Sequence, residues 1–89
     1  MPARETVTDR ARIRADALAT LFAREVRDAR LGLGKSQLDA ATEAGVDRSD
    51  WSRIERGEKR DVTLTAAVRI AAAVGLDLSL RCYPSDQVI

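Results

Sequence analysis

The sequence contains no histidine, one cysteine, two prolines and a single residue each of Trp, Tyr and Phe. Without an imidazole there is no His general base and no His-activated nucleophile, and one thiol with no CxxC pair cannot build a zinc site. Cys82 has no second cysteine to bond, so an intramolecular disulfide is excluded and nothing argues for an oxidising compartment. No apolar run approaches the roughly 18 residues that cross a bilayer, and the charged start lacks the apolar core of a signal peptide. The expectation is a cytoplasmic protein with no membrane contact, no cofactor, no metal, no evident small-molecule ligand and no catalytic constellation. A surplus of one charge is also missing: 15 Lys and Arg face 14 Asp and Glu, a net charge of +1. Any attraction to a polyanion must therefore be local.

What is present is helix-forming sequence in short, well-punctuated stretches. The 89 residues allow one domain with a modest core. Residues 1–8 read as a flexible arm. Asp9 to Leu31 is rich in Ala, Arg and Leu and free of Gly and Pro, which favours helix, and Thr6 and Asp9 have capping-box spacing. Leu18, Leu21, Phe22, Val26 and Ala29 form a helical stripe expected to face the other helices. Residues 9–17 continue it only in part, as an overhang or a separate short helix whose apolar edge is free to touch a second subunit. Gly32 and Gly34 then end the stretch, Ser36 can cap a second helix, and Asp47 with Asp50 can cap a third over residues 48–56. Thr63 can cap a last helix over residues 64–74, with Leu64, Ala67, Val68, Ala71 and Val74 facing inward.

After Gly75 the apolar period drops to two. Leu76, Leu78, Leu80 and Cys82 alternate with Asp77, Ser79, Arg81 and Tyr83 as far as Pro84, the pattern of a half-buried strand. The chain has no second strand of similar quality, and a lone strand leaves its edges unpaired, so the same strand from another copy is the simplest partner. Leu76, Leu78, Leu80 and Cys82 are thus the expected dimer contact. A strand folded back on its own helices, or paired with a different protein, remains open. Residues 85–89 read as a loose tail.

The chain is organised around residues 36–57, SQLDAATEAGVDRSDWSRIERG, two short helices broken at Ala44-Gly45-Val46 and closed by Gly57. On the second of these, Trp51, Ile54 and Glu55 share one face, while Arg48, Ser49, Ser52, Arg53 and Arg56 lie on or beside the opposite one. Trp51 falls at core spacing with Ile54. Arg30, Ser36-Gln37, Ala41, Gly45-Val46 and Ile54-Glu55-Arg56-Gly57 together resemble the phage repressor and Cro-type helix-turn-helix family, known as XRE, over about residues 26–78. The run from Ala41 to Gly57 keeps the family spacing without a gap. Ala40 stands where the family usually has Leu and Lys35 where it often has an apolar residue; Leu33 and Leu38 are expected to supply that core volume.

The resemblance implies a mainly α fold: a five-helix repressor-like helix-turn-helix domain over residues 9–75, with a C-terminal β-strand over 76–84 used for dimerisation. It implies that Arg48, Ser49 and Arg53, with Ser52 beside them, read base edges of double-stranded DNA, where an Arg fork can meet guanine O6 and N7. Ser36 and Gln37 at a helix start, with Arg56, Lys59 and Arg60, would meet phosphates. Arg30 and Glu55 would form a partly buried structural ion pair. The function implied is a sequence-specific transcription regulator, a repressor reading a palindromic operator as a homodimer. The alternative is an antitoxin that binds a toxin partner and autoregulates its operon.

Overall fold

The computed structural model describes residues 6–84. They form four helices, α1 (Val7–Gly32), α2 (Gln37–Ala44), α3 (Arg48–Glu55) and α4 (Leu64–Ala73). The expected tail, and residues 1–5 of the expected arm, lie outside the described residues. Thr6 to Thr8 belong to the start of α1: the Thr6 N–H donates to Asp9 Oδ2 at 3.3 Å and the Asp9 N–H donates to Thr6 Oγ1 at 3.0 Å. With no Gly or Pro to interrupt it, α1 continues for 26 residues, about 39 Å at 1.5 Å per residue. That continuity corrects the five-helix expectation, because residues 9–17 are the overhang of α1 and not a helix of their own. Only Ala23, Val26 and Arg30 of α1 are buried, and the overhang accounts for a molecule that measures 51 × 23 × 21 Å. No helix among the described residues is long and apolar enough to cross a membrane.

The core sits where α2 meets α3 and α4 and where α1 crosses α3. Val26, Ala40, Ala41, Ala44, Trp51, Ile54, Ile70, Ala73 and Val74 form it. Alanines on α2 let its neighbours approach closely, and the volume they leave is filled by Trp51, which has no exposed surface. Leu33 and Leu38, expected to supply that volume, are instead each 56% exposed. Lys35 is explained by its partners: its Nζ donates to the Ala73 carbonyl at 2.7 Å and pairs with Glu43. Arg69 does the same for α2, its Nε donating to the Ala44 carbonyl at 3.0 Å. Cations that close the last carbonyls of a helix also complement its dipole.

Two expectations about facing are corrected. Leu64 and Val68 of α4 are exposed, and Ile70, Ala71, Ala73 and Val74 point inward. The helix LTAAVRIAAA is apolar on nearly every side, so its pattern could not select one face. Leu18 and Leu21 of α1 are likewise about half exposed.

The C-terminal β-strand is also overturned: among the described residues there is no strand, and residues 76–84 run without regular structure. A ladder needs a neighbouring edge, and no other described segment offers one. Leu76 and Leu78 are half-buried while Leu80 and Cys82 are exposed. Leu78 and Leu80 instead line an apolar groove of about 420 Å³ together with Leu18, Leu21, Phe22 and Leu64.

Candidate nucleic-acid interface

α3 begins after Asp47, whose extended backbone (φ −67°, ψ 146°) suits an N-cap. Its carboxylate makes no capping hydrogen bond, and Asp50, expected to answer it, lies 3.6 Å from Arg53 instead. Two glycines set the length and entry of α3. Gly45 (φ +72°) turns the chain out of α2, with the Val46 N–H donating to Ala41 O at 3.0 Å. Gly57 (φ +72°) stops α3, with the Glu58 N–H donating to Arg53 O at 2.9 Å. Each is the left-handed residue of a Schellman-type close, a conformation that a Cβ disfavours.

Trp51 and Ile54 pin one side of α3 into the core, which turns Arg48, Ser49 and Arg53 to solvent. Ser52 is half-buried and accepts from Arg56 Nη1 at 2.6 Å. Arg48 and Ser49 make no side-chain hydrogen bond or ion pair among the described residues, so their donors are free. Of the base-reading residues expected from sequence, Arg48, Ser49 and Arg53 therefore come together on one exposed face of one helix, with Ser52 half-buried beside them.

The expected phosphate residues are brought less simply to that surface. Ser36 caps α2, accepting from the Asp39 N–H at 3.0 Å. Gln37 turns inward, donating from Nε2 to Glu55 Oε1 at 3.1 Å, which leaves its second amide hydrogen unused. Arg56 pairs with Glu58 at 2.9 Å, Lys59 with Asp61 at 3.4 Å and Arg60 with Asp16 of α1 at 3.2 Å. The Arg60–Asp16 contact is an ion pair by distance without hydrogen-bond alignment. Each of these pairs has at least one member open to solvent, where an ion pair is weak and screened by salt, so a DNA phosphate can displace the carboxylate.

Behind the exposed face is a buried node. Arg30 reaches Glu55 through two parallel bonds, Nε to Oε2 at 2.6 Å and Nη2 to Oε1 at 2.9 Å. The Trp51 indole N–H adds a third at 2.5 Å and Gln37 the fourth. Arg30 Nη1 also donates to the Lys35 carbonyl at 2.9 Å. The two side chains are 10% and 3% exposed, so this pair is buried more completely than expected. Burial by itself would push the Glu55 carboxyl up, but hydrogen bonds from Arg30, Trp51 and Gln37 and the charge of Arg30 outweigh it and hold the group below its ordinary value. The Arg30 guanidinium is raised by its hydrogen bond to Glu55, against desolvation. α1, α2 and α3 are thus tied at one carboxylate. Helical spacing put Trp51 and Glu55 on one side, but it could not reveal that Trp51 and Gln37 donate to that carboxylate.

A short helix held by its apolar side, entered by a left-handed glycine and presenting Arg and Ser outward, defines a helix-turn-helix DNA-binding domain. The family model described as "Helix-turn-helix domain" matches residues 21–81, and the chain belongs to that family. Its function class is DNA binding and the regulation of transcription. Neither the curated proteins nor the solved structures contain a match to this chain.

Proposed function

We propose that the protein is a sequence-specific transcription regulator, a repressor that inserts α3 into the major groove of a palindromic operator as a homodimer. The observation that carries this reading is the face of α3 on which Arg48 and Ser49 stand exposed and unpartnered while Trp51 and Ile54 anchor the opposite side. Arg48 and Arg53 supply forks for guanine, Ser49 and Ser52 shorter contacts, and each good bidentate pair discriminates by about 1–3 kcal/mol. Arg53 has only an exposed i, i+3 pair with Asp50 to give up. Ser36 and Gln37 meet a phosphate at the start of α2, where the first backbone N–H groups and the spare Gln37 hydrogen are free. Arg56, Lys59 and Arg60 exchange their carboxylates for phosphates on the other side of α3.

One α3 of eight residues reads only a half-site, so specificity calls for a second copy about 34 Å along the duplex. The exposed apolar groove along α1, α4 and residues 78–80 supports that second copy. A toxin seated there in its place would leave the isolated chain monomeric, so sedimentation separates the repressor and antitoxin readings. A binding selection from random duplexes tests the whole proposal. A recovered inverted repeat that Arg48→Ala and Arg53→Ala proteins no longer prefer is the expected result; recovery of no common sequence would overturn it.

A further inference from the structure

A recess of about 240 Å³, open to solvent, lies between α1 and the end of α3. Arg24, Arg27 and Asp28 of α1 form one wall, and Arg56 and Gly57 the other. We propose that Arg24 and Arg27, together with Arg56, seat a phosphate group of the DNA backbone, so that α1 is part of the interface. This rests on the DNA-binding reading given above and adds a contact that the helix-turn-helix pair alone does not supply.

The two α1 arginines differ from the basic residues at and after the end of α3. Lys59, Arg60 and Arg56 each hold a carboxylate, and Arg53 lies against Asp50. Arg24 and Arg27 are exposed and make no hydrogen bond or ion pair among the described residues. Like charges at i, i+3 repel on a helix surface, and here both point toward one concavity. Of the carboxylates nearby, Glu55 is already saturated by four donors and Glu58 is engaged by Arg56. Asp28 lines the same recess and opposes an anion, but it is outnumbered.

Position gives the occupant. Arg56 donates to Ser52, so the recess begins at the edge of the base-reading face. Gly57 brings the chain against α1: a Cβ there would stand 3.8 Å from Thr20 Oγ1, so α1 and the end of α3 meet at the recess. A duplex whose groove admits α3 carries its phosphates past the ends of that helix, and planar guanidinium forks match phosphate oxygens.

The test uses the full chain with Arg24→Gln and Arg27→Gln together. Both side chains are exposed and without partners, so the thermal transition should match the parent. Binding is measured to a random-sequence duplex and to the duplex recovered by selection, from 50 to 200 mM salt. The expected result is a plot of log K against log[salt] that is shallower by about 1 per lost phosphate contact, on both duplexes, with the preference between them unchanged. An unchanged slope overturns the seat while leaving DNA binding intact; failure of the parent to bind any duplex removes the DNA reading and the seat with it. Inorganic phosphate is titrated in parallel by NMR at the arginine Nε–H groups. Shifts at Arg24 and Arg27 with no change of slope on DNA would assign the recess to a free anion and likewise overturn the proposal.

Discussion

Glu55 is a single side chain on which three helices converge, and its energetics follow from its burial. Removing one partner of a buried pair strands the other, at a cost of about 3–5 kcal/mol, whereas an exposed pair costs under about 1. Glu55→Ala should therefore lower the unfolding free energy in a urea titration by an amount in the first range, since Arg30, only 8% exposed beside Glu55, would lose its counter-charge and keep just its bond to the Lys35 carbonyl. A loss below about 1 kcal/mol would mean that water reaches the pair. The same carboxyl predicts a pH dependence. Its folded pKa is lowered relative to the unfolded 4.5, so its contribution is complete above that value and is lost as pH falls through the lower folded one. Glu55→Gln should flatten the acid limb of the stability curve and leave its shape near neutrality unchanged; an acid limb identical to the parent's would refute the assignment. At this scale the Arg30–Glu55 pair was legible only through family resemblance. Long-range bonds such as Gln37 to Glu55 leave no trace in a period of 3.6, and nothing in the sequence singles out Arg24 and Arg27, which only the fold sets beside the end of α3.

At the scale of the element, punctuation was more legible than orientation. Thr6, Ser36 and Thr63 cap the helices they were expected to cap, because a side-chain oxygen before an apolar run has a local target in the first turn. Which way α4 faces was not legible, since nearly every position in it is apolar. The two orientations predict opposite mutational responses. Ile70→Ala should cost about 2–5 kcal/mol as a core truncation, and Val68→Ala no more than about 0.5 kcal/mol, both by denaturant titration. The reverse order would restore the face expected from sequence. The segment after Gly75 shows the converse failure. Its alternation pointed to a strand that the structure does not form: Leu76 and Leu78 do turn partly inward, but alternation says nothing about a neighbouring strand edge, and none exists among the described residues. Gly45 tests the turn between α2 and α3. Nothing lies within 4 Å of the place its Cβ would occupy, so Gly45→Ala should cost only the left-handed backbone, about 1–2 kcal/mol, and a crowded turn would cost more.

For the whole molecule the unbalanced feature is apolar surface. Leu18, Leu21, Leu64 and Leu80 are each between 47% and 67% exposed around one groove, on a protein too small to bury everything it carries. Such a contiguous patch suits a second copy, and its lining from the middle of α1, α4 and the C-terminal segment does not include Arg48, Ser49 or Arg53 of α3. Replacing Leu21 and Leu64 by Glu puts charge into the groove at positions already half in water, so each chain should keep its own fold. Sedimentation should then report monomers where the parent gives dimers. Because the exposed Arg48, Ser49 and Arg53 face proposed to read bases is untouched, the variant should still protect a single half-site, but it should lose the gain in affinity that a second, correctly spaced half-site is expected to confer on the parent. Dimers persisting in the double variant would move the contact elsewhere. A parent that sediments as a monomer, and binds one and two half-sites alike, would leave a regulator that reads DNA alone and a groove that awaits a different protein.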